Sequence, residues 1–166
     1  VEYGTAFALA LSGDSSRSQT LTDDLSRRFP EDTIVRFSYI PTLRALVALN
    51  HREPANAIEL LQTAMPYELG IMDTLYPAYV RGEAYLAARQ GREAAIEFQK
   101  ILDHRGIVLI DPIGALAHLQ LGRAYALSGD QTKAKTAYQD FLTLWKDADP
   151  DIPILKEAKA GYAKLQ

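Results

Sequence analysis

A repeated unit constrains this sequence more than any other feature. Near the C-terminus, Gly122 is followed by Tyr125 three residues later, Ala134 twelve residues later and Tyr138 sixteen residues later. The pattern recurs upstream, at successive intervals of 40, 37 and 39 residues, although it is degenerate in the first two units. A period of this length is typical of stacked repeat architectures, in which each unit buries its apolar face against its neighbours. The matching positions are Gly82, Tyr85, Ala94 and Phe98, then Ala45, Ala48, Ala57 and Leu61, then Ala6, Leu9, Ser18 and Thr22.

Each unit is predicted to be two helices joined by a tight turn, because apolar and small residues recur at helical spacing on both sides of a polar break. Gly13 and Gly129 can take a positive φ after the first helix, and Asp14 and Asp130 can cap the second. In unit three, Arg89 stands where this glycine is expected. The predicted helices are 1–11, 15–29, 33–50, 54–65, 75–89, 92–104, 112–127 and 131–146.

Two prolines, Pro41 and Pro153, refine this prediction. Pro41 lies inside the third helix and should kink or restart it, because proline lacks the amide hydrogen of a helix interior. After Pro153 a ninth helix, 153–165, places Ile154, Ala158 and Tyr162 on one face and charged residues on the other. That amphipathic pattern indicates a helix that caps the last repeat.

The template resembles the tetratricopeptide repeat (TPR), whose small, aromatic, alanine and aromatic positions recur about every 34 residues. The resemblance implies an all-α fold, a right-handed α-α solenoid of about four helical hairpins plus the C-terminal cap. The intervals here are longer than 34 residues, so the links between units are expected to be long. The expected repeats are 1–30, 33–66, 75–105 and 112–147, forming one domain over 1–166 with the cap at 153–165.

A second resemblance covers roughly the last ninety residues. The segments Tyr76–Leu86, Asp103–Leu119 and Trp145–Lys156 are similar to the C-terminal repeat region of certain bacterial serine/threonine protein kinases. The kinase motifs themselves are missing, so this resemblance implies a non-catalytic sensory or docking region. It also implies a bacterial protein that lies in the cytoplasm or, on a membrane-anchored kinase, outside the inner membrane. Since residue 1 is Val, we expect a fragment of a longer chain.

Composition excludes several classes of function. With no cysteine, the sequence has neither disulfides nor zinc-thiolate sites. A net charge of -3 without a basic run argues against a nucleic-acid partner. The longest apolar runs, Ala6–Leu11 and Ala45–Leu49, are far shorter than the ~20 residues that cross a bilayer, so we expect no membrane insertion.

The sequence also lacks a convincing catalytic or metal site. The acidic segment Asp147–Asp151 begins like a calcium loop, but the later glycine and glutamate positions are Ile152 and Ala158. His51, His104 and His118 have no partner at metal-ligand spacing. We therefore expect no enzyme activity, no metal and no cofactor.

The residues predicted to bind a partner follow from the TPR resemblance. In that class the first helices line a concave groove, and the positions six before, three before and one after the small residue face inward. An aromatic and aliphatic strip with one acid and one base suits a bound peptide or helix. Tyr79→Ala is expected to weaken such binding with little loss of fold. The inward positions are Tyr39, Thr42 and Leu46 in unit two, Tyr76, Tyr79 and Glu83 in unit three, and Leu116, Leu119 and Arg123 in unit four.

Two alternatives remain open at this point. The same residues can instead pack against a link of their own chain. They can also pack against a second copy, which would make the protein a self-associating structural spacer and a homodimer. The apolar link Ile107–Ile110 must also be buried somewhere, either on its own chain or on a partner. We favour burial on its own chain.

Overall fold

The computed structural model describes residues 2–70 and 75–166, and every regular element in these two ranges is helical. Val1, the first residue of the first predicted helix, lies outside them. A five-residue π-helical turn, Val35–Tyr39, precedes α3, and a 3-10 turn, Gln62–Ala64, follows α4. The helices are α1 Glu2–Leu11, α2 Ser15–Arg28, α3 Ile40–Asn50, α4 Pro54–Leu61, α5 Tyr76–Ala87, α6 Gly91–Asp103, α7 Arg105–Val108, α8 Ile113–Leu127, α9 Gln131–Leu144 and α10 Pro153–Ala163.

The helices stack as four antiparallel hairpins, α1/α2, α3/α4, α5/α6 and α8/α9, followed by α10. Each second helix packs on the first helix of the next hairpin. The first helices α1, α3, α5 and α8 also contact one another in succession, which places them on the inner side of the superhelix. The prediction of an all-α solenoid of TPR-like hairpins is confirmed.

The four hairpin turns share one backbone conformation. In each, the second residue after the first helix has a positive φ: 86° at Gly13, 64° at Arg52, 63° at Arg89 and 85° at Gly129. The following amide then donates to a carbonyl five residues back, as Asp14 does to Leu9 at 2.9 Å. This is the Schellman arrangement that ends a helix. Arg89 therefore occupies the glycine position that the sequence indicated, and Arg52 occupies the same position without having been anticipated.

Close helix approach depends on the glycines of the repeat template. A Cβ atom added to Gly82 would lie 2.6 Å from the ring of Phe98, and one added to Gly122 would lie 2.8 Å from the ring of Tyr138. Ala6 of unit one is fully buried, and its carbonyl accepts a 2.8 Å hydrogen bond from the Ser18 hydroxyl. The small residue of the template thus sets the distance between the paired helices.

Pro41 was expected to kink or restart the third helix, and a π-helical turn lies just before it in a continuous helical backbone. The π-helical turn ends where the Ile40 amide donates to the Val35 carbonyl, five residues back. The regular α3 begins at Ile40, and Pro41 is its second residue.

The link after α4 is held by a buried ionic cluster that the sequence did not predict. Arg81 of α5 is fully buried and donates to both carboxylate oxygens of Glu68 at 2.9 Å and to Glu97 at 2.5 Å. Lys100 bonds to the same two carboxylates, at 2.8 Å and 3.2 Å. The cluster fixes Glu68 of the link against α5 and α6.

The C-terminal helix caps the stack as expected. Leu155 and Ala158 of α10 are buried against Tyr138 and Phe141 of α9. Lys156 faces solvent and bonds to Asp151 at 2.8 Å.

The apolar link before α8 is only half buried, which corrects the expectation that it folds onto its own chain. Ile107 and Val108 pack on the core, but Leu109 is 78% exposed and Ile110 100% exposed. The chain turns outward at Leu109, whose φ is 52°, and Asp111 then caps α8 by accepting from the Ile113 amide at 3.1 Å. The geometry of this cap directs the two apolar side chains into solvent.

Candidate functional site

Aromatic rings close the inner side of the first two hairpins. Tyr3 of α1 stacks on Tyr39 with 3.8 Å between ring centroids. Phe7, also on α1, meets Tyr76 of α5 edge to face at 4.7 Å, although α3 lies between these two helices in the stack. These rings therefore cover the inner side of α3.

Two of the predicted groove residues are buried as a result. Thr42 is fully buried, and its hydroxyl donates to the Ser38 carbonyl at 2.7 Å. Leu46 is 6% exposed and belongs to a core cluster that includes Ala10 of α1 and Val80 of α5. Neither side chain is accessible to a ligand in this arrangement.

On α5, two half-buried tyrosines lie one turn apart. The Tyr76 hydroxyl donates to Asp111 Oδ1 at 2.9 Å, and burial together with this hydrogen bond raises the pKa of Tyr76 to about 12. The Tyr79 ring packs edge to face on Phe98 at 5.7 Å. Burial and the nearby Glu83 carboxylate raise the pKa of Tyr79 as well, so both hydroxyls keep their protons near neutral pH.

A hydrogen-bond network joins α5 to α8 and α10. The Gln120 amide donates to the Glu83 carboxylate and, at 3.2 Å, to the Tyr79 hydroxyl. The Gln120 carbonyl accepts from Arg123 at 3.2 Å, and Arg123 also pairs with Glu157 of α10 at 2.7 Å. Burial raises the pKa of Glu83 above its ordinary range.

The nine predicted residues therefore divide into two sets. Thr42, Leu46 and Leu119 are buried, and Tyr39 is engaged with Tyr3 beside the closed part. The other five are half-buried on α5 and α8, and we call them the inner strip: Tyr76, Tyr79, Glu83, Leu116 and Arg123.

The sequence missed three residues that organise this strip. Gln120 lies one turn before Arg123 on α8, so helical spacing alone would have placed it on the same face. Asp111 and Glu157 come from the preceding link and from α10, and no spacing rule brings them to α5 and α8.

The contacts of Tyr79 change one expectation. Its ring packs on the buried Phe98 and its hydroxyl joins the network. Tyr79→Ala would therefore remove core packing and cost stability, contrary to the expectation from sequence. A test of binding therefore needs a substitution at a residue that does not combine packing on Phe98 with a place in the hydrogen-bond network.

The described residues contain no cluster of His, Asp and Glu that could hold a metal ion. Asp149, at the centre of the acidic segment Asp147–Asp151, instead accepts from the Asp151 amide at 2.8 Å. His118 is half-buried, and burial lowers its pKa despite Asp140 at 3.7 Å. Among the helices of residues 2–70 and 75–166, none combines the length and apolar character needed to cross a bilayer.

Comparison with solved structures agrees with this architecture. Two crystal structures of nearly identical TPR-like repeats, from a Podosopora anserina protein described as a kinesin light chain, superpose with TM-scores of 0.72 and 0.71. Each is 15% identical to this chain and covers 99% of it, while the match spans 82% and 83% of their own lengths. One of the two carries a single substitution. No protein-family model and no curated protein matches the sequence.

The fold is therefore that of a TPR-like repeat solenoid. Such solenoids present extended concave surfaces and serve generally in binding other proteins. At 15% identity the similarity extends to the fold alone, so the partner of this chain must be argued from its own surface.

Proposed function

We propose that this chain is a non-catalytic protein-interaction module that binds a peptide or helix of another protein along the inner strip. The observation that carries the proposal is the juxtaposition of half-buried tyrosine, leucine, acidic and basic side chains on α5 and α8. Rigid aromatic side chains supply contact area at low conformational cost, and charged groups fix the register of a bound segment.

The proposal restricts binding to the second half of the superhelix. The rings of α1 and α5 leave little accessible surface on α3. A bound segment is therefore expected to lie across α5 and α8, between Tyr76 at one end and Arg123 at the other. Along α5 alone, the distance from Tyr76 to Glu83 is about 10 Å, at 1.5 Å per residue.

A matched pair of variants tests the location of binding. Leu116→Asp places a charge within the inner strip, whereas Ile96→Asp makes a similar change on α6, where Ile96 is 65% exposed. We expect dodecapeptides selected from a random displayed library against the wild-type chain to lose at least tenfold in affinity for Leu116→Asp and to bind Ile96→Asp normally. Circular dichroism checks that both variants fold. Equal binding by folded Leu116→Asp would refute the proposal.

The resemblance of the last ninety residues to kinase repeat regions supports a narrower proposal. We infer that the module is the sensory or docking region of a bacterial serine/threonine kinase. The test is the natural full-length polypeptide, purified and assayed for ATP-dependent phosphorylation of a generic protein substrate. A full-length protein without kinase activity would contradict this narrower proposal and leave the binding module unaffected.

Self-association is a second candidate because of one further surface. Leu109, Ile110 and Leu144 line one depression and are 78%, 100% and 60% exposed. An exposed apolar group of this kind is typical of an interface between copies. Light scattering across concentration tests it: a dimer lost on Ile110→Ser supports the spacer function, and a monomer at every concentration rejects it.

A further inference from the structure

The chain pairs its deeply buried carboxylates with cations. Glu68 and Glu97, 2% and 6% exposed, each lie within 3.2 Å of nitrogen atoms of both Arg81 and Lys100. This pairing is expected, because a carboxylate removed from water is strongly destabilising unless a cation or several hydrogen bonds compensate it.

Glu83 is a half-buried carboxylate without such a partner. Its oxygens accept from the Gln120 amide and the Tyr79 hydroxyl, which are both neutral. Among residues 2–70 and 75–166, no Lys, Arg or His nitrogen lies within the 4.0 Å of an ion pair. Arg123 attracts the Glu83 charge from beyond ion-pair distance, but its guanidinium is bonded to Glu157 at 2.7 Å.

The surroundings of Glu83 also favour a cation. Asp111, which accepts from the Tyr76 hydroxyl, likewise forms no ion pair with any described residue. Tyr76 and Tyr79 lie between these two carboxylates along α5, and the faces of tyrosine rings attract cations. This region therefore combines two aromatic rings with two carboxylates that accept hydrogen bonds but form no ion pair within the described residues.

We propose that the segment bound at the inner strip carries a lysine or arginine whose cationic group pairs with Glu83. The inference rests on the proposed function, since it specifies the chemistry of the partner at that same surface. The occupant is a segment of another protein. The cation of this segment would do for Glu83 what Arg81 and Lys100 do for Glu68 and Glu97 within the fold. The Tyr79 ring lies beside the Glu83 carboxylate.

The test uses peptides obtained from the displayed dodecapeptide library, limited to those that bind wild type and not Leu116→Asp. Sequencing should reveal Lys or Arg enriched at one position. Fluorescence anisotropy then compares Glu83→Gln with Glu59→Gln, a matched loss of one charge at an exposed position of α4. We expect Glu83→Gln to weaken binding at least tenfold, and Glu59→Gln to change it less than twofold.

A substitution in the peptide completes a double-mutant cycle with Glu83→Gln. Replacing the enriched Lys or Arg with norleucine should weaken wild-type binding as much as Glu83→Gln does, and the two changes together should add little more. The thermal midpoint of Glu83→Gln should stay level or rise, because the substitution removes an unpaired, partly buried charge. A residue with a merely structural role would instead lower that midpoint.

The outcomes separate the two proposals. If peptides depend on Leu116 but bind Glu83→Gln at full affinity, or show no basic enrichment, the cation inference is wrong and the proposed function stands. If no peptide depends on Leu116, both are wrong. If Glu83→Gln abolishes self-association in light scattering, the cation belongs to a second copy and the inference is overturned.

Discussion

The turn residues Arg52 and Arg89 are predicted to be less favourable than glycine. Both have φ near +64°, at 64° and 63°, in the conformation that Gly13 and Gly129 adopt in the other two hairpins. Both arginines are exposed, and within the described residues neither takes part in an ion pair. Nothing in these contacts offsets the strain of an L-residue in a left-handed conformation.

The size of the effect follows from two opposing terms. A left-handed conformation costs an L-residue roughly 1–2 kcal/mol. Glycine loses more backbone freedom on folding, which costs about 0.5–1 kcal/mol. Arg89→Gly should therefore stabilise the chain by about 0.5–1 kcal/mol, and Arg52→Gly by a similar amount. Since the two turns share no backbone hydrogen-bond partner, the double variant should show about the sum.

Thermal and urea unfolding measure this prediction directly. For a chain of this size each kcal/mol corresponds to about 2–4 °C, so the double variant should melt about 2–8 °C higher. Gly129→Ala is the reverse control and should lower stability by about 1 kcal/mol. Arg89→Gly variants that melt at or below the wild-type temperature, with Gly129→Ala neutral, would refute the assignment of one shared turn.

Four further predictions concern stability. Arg81→Met leaves two buried carboxylates with only Lys100, so it should destabilise the fold by about 3–5 kcal/mol in urea unfolding. Gly122→Val places methyl groups against the buried Tyr138 ring and should cost roughly 1–3 kcal/mol, measured in the same way. The helix-capping hydrogen bonds lower the pKa of Asp14 and Asp130, so their stabilisation is present above the ordinary aspartate pKa and is lost as pH falls through the lowered values. Burial raises the pKa of Glu83, so its effect on stability has the opposite sign: stability decreases as pH rises from the ordinary glutamate pKa through the raised one. Melting temperatures measured over a pH series should show this decrease for wild type and lack it for Glu83→Gln.

The hairpins were predictable from sequence because their determinants are local. A small residue, a ring sixteen positions later and a turn glycine lie within one unit, and helical spacing fixes which of them meet. Gly122 against Tyr138 and the cap formed by Asp130 follow from that spacing alone.

The accessible surface was only partly predictable, because it depends on how units stack. The contact between Phe7 and Tyr76 joins hairpins one and three, and the resulting burial of Leu46 depends on superhelical curvature. Curvature follows from the rotation between successive repeats, for which the pattern within one unit carries no information. The same reason explains why the pairing of Glu68 with Arg81 could not be anticipated.

The most direct test of the binding surface is amide chemical-shift mapping of the isotope-labelled chain with a selected dodecapeptide. We predict that the largest changes fall on Tyr76–Glu83 of α5 and Leu116–Arg123 of α8, with little change on α2 and α4. Changes centred on Leu109, Ile110 and Leu144, or spread over the outer helices, would contradict the assignment of the inner strip.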